Sequence, residues 1–214
     1  MKTLLPYKTI MPSNLIKGKK YPVLYVFHGI GSNEEDTLVL VEELKEDFIL
    51  IGVRGEYDRE DGFAHYMIHG FGHPDREGFD RCIERIRFLM EYAEQTYPID
   101  VNRRYLLGFS QGAAIAMTLG LTLGNKVRGV VALSGYIPTF VKEEYPIAAV
   151  DHVSVFISHG AYDAIYSLKE GKNSEEFFKQ RTPKVQFHSY LSGHEVTLQN
   201  QKDFVKWLYE DLKK

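Results

Sequence analysis

The stretch RYLLGFSQGAAIAMTLG, residues Arg104–Gly120, constrains this chain more than any other. Tyr105, Leu106 and Leu107 form an apolar run that reads as the end of a buried strand. Gly108-Phe109-Ser110-Gln111-Gly112 follows in the pattern G-x-S-x-G, and Ala113–Leu123 continues with strong helix formers. A serine between a strand and a helix sits on a sharp, strained turn with its hydroxyl pushed outward. Strand and helix nearly touch on either side of it, so side chains two residues before and after would collide. Glycine answers that constraint.

The flanking sequence supplies more units of the same kind. Residues 2–10 are expected to form an outlying strand, and Ile16–Lys20 a turn. Tyr21–Phe27 (YPVLYVF) is an unbroken apolar, aromatic and β-branched run, as in a strand covered on both faces. It ends in the loop His28–Asn33. Glu34–Glu46 has Leu38, Val41 and Leu44 at helical spacing and acids at its start. Phe48–Val53, Val127–Leu133, Val153–Ile157 and Val185–Leu191 read as further strands. Asp80–Gln95, Glu175–Gln180 and Glu195–Leu212 read as helical. Strands alternating with helices predict an α/β fold: a mostly parallel central sheet with helices on both faces. Such sheets carry their sites beyond the C-terminal ends of the strands.

Two segments break the alternation. Arg54–Gly78 runs 25 residues with five glycines and no steady period. Its Phe63, Tyr66, Met67, Ile68 and Phe71 argue for a loop folded over the site. Residues 136–150 form a second irregular excursion, holding Ile137, Phe140 and Val141.

The 214 residues suffice for one domain, 1–214, and no repeat or low-complexity linker divides them. A net charge of −3 without a basic run speaks against nucleic acid as partner. No apolar stretch reaches the ~20 residues of a membrane span. The N-terminal residues, broken by Pro6 and Pro12, lack the apolar core of a signal peptide. One cysteine, Cys82, excludes an intramolecular disulfide and fits a cytoplasmic protein.

Chemistry-bearing residues gather at the predicted strand ends. Ser110 follows one strand, Asp163 (in HGAYD) another, and His194 (in SGHE) lies just past the last. A serine hydroxyl is a poor nucleophile until a base takes its proton. Histidine, ordinarily near ~6.5, can take that proton and return it to a leaving group. A carboxylate behind the imidazole fixes its tautomer. Ser110, Asp163 and His194 are therefore the expected catalytic residues. His188 falls mid-strand, His28 and His159 read as braces of their loops, and Asp151 precedes its strand. Ser134 lacks the elbow pattern. Cys82 falls inside a helix, away from any strand end.

His65, His69 and His73 recur every four residues, but Gly70, Gly72 and Pro74 oppose the helix that would align them. No metal site is expected. An oxyanion formed by attack of Ser110 needs backbone donors, and the expected ones are the N–H groups of Gln111 and Ile30. Each such donor is worth ~3–4 kcal/mol in a transition state.

Four motifs carry a family likeness: HGIGSNEED at 28–36, GFSQG at 108–112, SHGAYD at 158–163 and SGHE at 192–195. Together they resemble the phospholipase/carboxylesterase family, which includes acyl-protein thioesterases and small bacterial carboxylesterases. The resemblance spans about Tyr21 to the C-terminus. It implies an α/β-hydrolase fold without a separate cap domain, the triad Ser110, Asp163 and His194, and an oxyanion hole at Ile30 and Gln111. It implies no metal or organic cofactor. The segment after Asp163, AIYSLKEG, departs from the valine- and proline-containing stretch of many relatives, and Ala113 stands where a second glycine is frequent.

The expected function is a serine carboxylesterase acting on short- to medium-chain acyl esters. Phe63, Met67, Ile68, Phe71, Ile137 and Phe140 are the expected acyl contacts. Acyl-protein thioesterase and lysophospholipase activity share the same triad, and a non-catalytic binding module is the remaining alternative. The expected partner is a small acyl ester; a homodimer stays open.

Overall fold

The computed structural model describes residues 3–214. Its central sheet is built from β1 (Tyr7–Ile10), β2 (Tyr21–Phe27) and β3 (Ile49–Val53). Two small hairpins follow, β4 (Tyr57–Arg59) with β5 (Gly62–Ala64) and β6 (Ile68–Gly70) with β7 (His73–Pro74). The sheet then continues through β8 (Ile99–Phe109), β9 (Gly129–Leu133), β10 (Ser154–Gly160) and β11 (Val185–Tyr190). Helices α1 (Glu34–Val39), α2 (Arg76–Thr96), α3 (Gln111–Leu123), α4 (Thr139–Glu144), α5 (Leu168–Lys179) and α6 (Leu198–Leu212) connect them.

The seven strands lie in the order β1-β3-β2-β8-β9-β10-β11. All neighbours are parallel except β1, which pairs antiparallel with β3 at the edge. The outlying strand expected at 2–10 is thus the four-residue β1, and Lys2 lies outside the described residues. Among the described residues no separate cap domain covers the sheet.

The side-chain alternation of β2 explains why its apolar run is continuous. Val23, Tyr25 and Phe27 enter one core, with α2 and α3. Leu24 and Val26 enter the other, with α1 and α6. β3 and β9 divide in the same way, Ile49 and Ile51 against Leu50, Val130 and Ala132 against Val131 and Leu133. Helix α3 lies against β2, β8 and β9, and Gln111–Leu121 is buried throughout. That burial on all sides is why its sequence is apolar all round.

Three expectations change at the level of elements. The helix expected over Glu34–Glu46 stops as α1 at Val39, and a 3₁₀ turn over Glu42–Leu44 follows. The Leu40 carbonyl, which a continuing helix would use internally, accepts instead from Gln201 of α6 at 2.9 Å. The segment 54–78 is not without structure: it forms the two hairpins, and α2 begins within it because Asp75 caps the helix by accepting from Gly78 N–H at 2.7 Å. The excursion 136–150 contains α4.

Candidate active site

Ser110 stands at the end of β8 with φ +55° and ψ −115°, a backbone conformation that a β-branched or bulky residue rarely adopts. The glycines around it have no room for a side chain. A Cβ on Gly108 would lie 2.0 Å from the Gly112 carbonyl oxygen, and one on Gly112 would lie 2.1 Å from the Phe27 carbonyl oxygen. The pattern read from the sequence is therefore a steric requirement of packing strand β8, helix α3 and strand β2 at one point.

Asp163 sits in the turn after β10, its side chain fully buried. One carboxylate oxygen, Oδ1, accepts from the Ile165 and Tyr166 N–H groups, both at 2.9 Å. The other, Oδ2, faces His194 Nδ1 at 2.7 Å. His194 lies beyond β11, three strands from Ser110 in the sheet, yet its Nε2 stands 2.9 Å from Ser110 Oγ. The loops carrying acid and histidine are tied by Ala161 N–H to Tyr190 O at 2.7 Å and Tyr162 N–H to Ser192 O at 3.0 Å. With Oδ2 accepting from Nδ1–H, the lone pair of Nε2 faces the serine hydroxyl, the tautomer a base requires. The imidazole ring is flanked by Phe109, 5.0 Å between centroids, and by the edge of Tyr166 at 5.7 Å.

The loop after β2 comes up beside the elbow because β2 and β8 are neighbours. His28 braces it. Gly55 N–H donates to His28 Nε2 at 2.9 Å, so the ring proton is on Nδ1, which donates to the Gly29 carbonyl at 2.6 Å. Burial holds His28 below its ordinary pKa, which keeps it in that neutral form. Neither the Ile30 nor the Gln111 N–H has an acceptor among the described residues.

His159 is fully buried beneath the acid turn. Its Nε2 donates to the Tyr166 carbonyl at 2.8 Å and lies 3.5 Å from Asp163 Oδ2. His28 and His159 thus occupy the bracing positions expected for them.

A family model described as phospholipase/carboxylesterase matches residues 16–211. The chain belongs to this family. Acyl-protein thioesterase 1 of Debaryomyces hansenii is 32% identical over 158 residues, covering 70% of this chain and 67% of the yeast protein. A putative hydrolase of Bacillus subtilis is 26% identical across 91% of this chain and 96% of its own length. Among solved structures, a Bacillus cereus carboxylesterase superposes with a TM-score of 0.85 at 24% identity, covering 97% of this chain and 94% of that one. The fold is that of the α/β-hydrolases, and the protein is a hydrolase of the carboxylesterase and thioesterase family.

The hydrolase distributes the six residues expected to contact an acyl chain over different surroundings. Met67 and Phe71 are exposed, and Phe71 meets the edge of Tyr166 at 6.2 Å, one ring removed from His194. Ile137 is buried in the core, and Ile68 and Phe140 pack against it. Phe140 lies against Phe79 and under the Arg76 guanidinium. Phe63 lies beneath the guanidinium of Arg54 and joins β5 to the loop after β2.

His65 is buried and stacked on His28, 4.2 Å between centroids, while His69 and His73 are exposed. Among the described residues no group of three His, Cys, Asp or Glu side chains stands close enough to hold a metal ion. Sequence reasoning missed the aromatic flanks of His194. Phe109 falls inside the elbow pattern and could have been found there. Tyr166 lies in the segment departing from the common family pattern, the one signal that pointed to it.

Proposed function

We propose that this hydrolase cleaves short- to medium-chain acyl esters through an acyl-serine intermediate. Ser110 Oγ attacks the carbonyl carbon while His194 Nε2 takes its proton. The resulting oxyanion is met by the N–H groups of Ile30 and Gln111. Collapse breaks the ester bond, and the departing alcohol oxygen takes the proton from His194. Water then attacks the acyl-serine with His194 again as base, releasing the carboxylic acid and restoring Ser110. Asp163 holds the imidazole and stabilises its charged form.

One observation carries this reading: the unbroken line from Asp163 Oδ2 through His194 to Ser110 Oγ, with contacts of 2.7 and 2.9 Å. The acyl chain would lie against Phe71 and Tyr166, the aromatic groups on the His194 side. Thioester cleavage is the second reading, favoured by the thioesterase relative, and it uses the same attack with a thiol as leaving group.

Treatment with a fluorophosphonate followed by mass spectrometry tests the nucleophile. A single adduct on Ser110, absent from Ser110→Ala, is expected. A wild-type protein that stays unmodified while hydrolysing esters would rule out Ser110. Matched ester and thioester series from two to twelve carbons then assign the leaving group and chain length.

A further inference from the structure

The two N–H groups assigned to the oxyanion belong to separate elements, Ile30 to the loop after β2 and Gln111 to the first turn of α3. Catalysis of this kind depends on donors fixed in advance at the distance the oxyanion demands. A third segment bridges the two elements. At one end, Phe63 accepts from Gly31 N–H at 2.9 Å and donates to the Ser32 carbonyl at 2.8 Å, an antiparallel bridge to the donor loop. At the other end, the Gln111 side chain grips the same segment two residues on. Its Oε1 accepts from His65 N–H at 2.7 Å, and its Nε2 donates to the Tyr66 carbonyl at 2.8 Å.

The grip is dry and reinforced. Gln111 is 1% exposed, as are His65 and Tyr66. The His65 ring stacks on His28, which itself binds the Gly29 carbonyl, and Tyr66 Oη donates back to the Gln111 carbonyl at 3.5 Å. Hydrogen bonds in such surroundings are costly to leave unmade, so the segment has few alternative positions.

We propose that the Gln111 side chain is a positioning residue that, through segment 63–66, fixes the Ile30 and Gln111 N–H groups relative to each other. The residue thereby acts twice, by its backbone on the oxyanion and by its side chain on the partner donor. This rests on the serine-hydrolase reading above. A glutamine that merely filled hydrogen bonds in a buried loop would affect stability; one that sets donor spacing affects the transition state selectively.

The test is Gln111→Met, which keeps the length and removes both hydrogen bonds. With p-nitrophenyl butyrate, kcat is expected to fall about 10- to 100-fold, the scale of a ~1 Å misplacement, with KM within about threefold of wild type. Affinity for an alkyl trifluoromethyl ketone, which forms a tetrahedral oxyanion on the serine, should fall by the same factor as kcat/KM. A folded variant with kcat within about threefold of wild type would overturn the proposal, as would a fall in kcat that leaves ketone affinity unchanged. Should the variant not fold, hydrogen exchange on the wild type decides. Protection of the Phe63 and His65 amides close to that of β8 supports the link, and exchange at the rate of an open loop overturns it. Absence of a Ser110 adduct in the wild type would sink the serine-hydrolase reading itself. An adducted, active wild type beside an unimpaired variant would sink only the positioning of the donors.

Discussion

Asp163 and His194 meet at 2.7 Å, yet the carboxylate is wholly buried while the imidazole keeps a fifth of its side-chain surface open. The carboxylate is held and the imidazole is reachable. In Asp163→Asn the carbonyl oxygen would keep the two backbone donors on the Oδ1 side, leaving the amide N–H₂ against His194 Nδ1. The ring would then carry its proton on Nε2, facing Ser110, and could not accept from it. A fall in kcat of about 10⁴-fold is expected, with little change in thermal midpoint. Steady-state kinetics with p-nitrophenyl butyrate checks this, and a loss under tenfold would remove Asp163 from the mechanism.

Gly108 offers a test of the elbow. Its missing Cβ would press on the Gly112 carbonyl oxygen, a backbone atom that no rotamer change can move aside. Gly108→Ala should destabilise by about 3 kcal/mol, the upper part of the usual range for overpacking, and lower the melting temperature by several degrees. A variant melting within a degree of wild type would show that β8 and α3 leave room for a side chain at position 108.

Burial and the adjacent His28 hold His65 well below histidine's ordinary pKa, and burial also lowers His28. Both are neutral in the folded protein where the unfolded chain already binds protons. Their contribution to stability is therefore full above the unfolded value of about 6.5 and is lost as pH falls below it, by up to about 1.4 kcal/mol per pH unit for each group. Urea unfolding at pH 7.5 and 5.5 should show a loss in the wild type that is smaller by about 1 kcal/mol in His65→Phe. Equal losses in the two proteins would mean that His65 protonates without opening the structure.

Cys82 lies on α2 inside the larger core, where burial pushes its thiol up to about 12. The thiolate is the reactive form, so the native protein should resist iodoacetamide at pH 8 and react only when unfolded. Ester hydrolysis should survive such treatment. Rapid alkylation accompanied by loss of activity would contradict both the burial and the assignment of a serine chemistry.

Most of the sheet was legible because parallel strands buried on both faces must be apolar at every position, and runs such as YPVLYVF leave no other place to go. The elbow was legible for a steric reason: two backbones in contact admit only glycine at 108 and 112. The order of Ser110, Asp163 and His194 was legible because each directly follows a strand. Tertiary structure decided the rest. Strands of two or three residues, as in β4–β7, are too short to display alternation, so segment 54–78 read as irregular. Just past the end of α1, the Leu40 carbonyl is bound by Gln201, 161 residues away. Tyr166 could be placed beside His194, and Gln111 joined to His65 and Tyr66, only once the loops had closed over the strand ends. Periodicity and local sterics write themselves into neighbouring residues. A hydrogen bond between distant loops leaves no trace in either until the chain has folded.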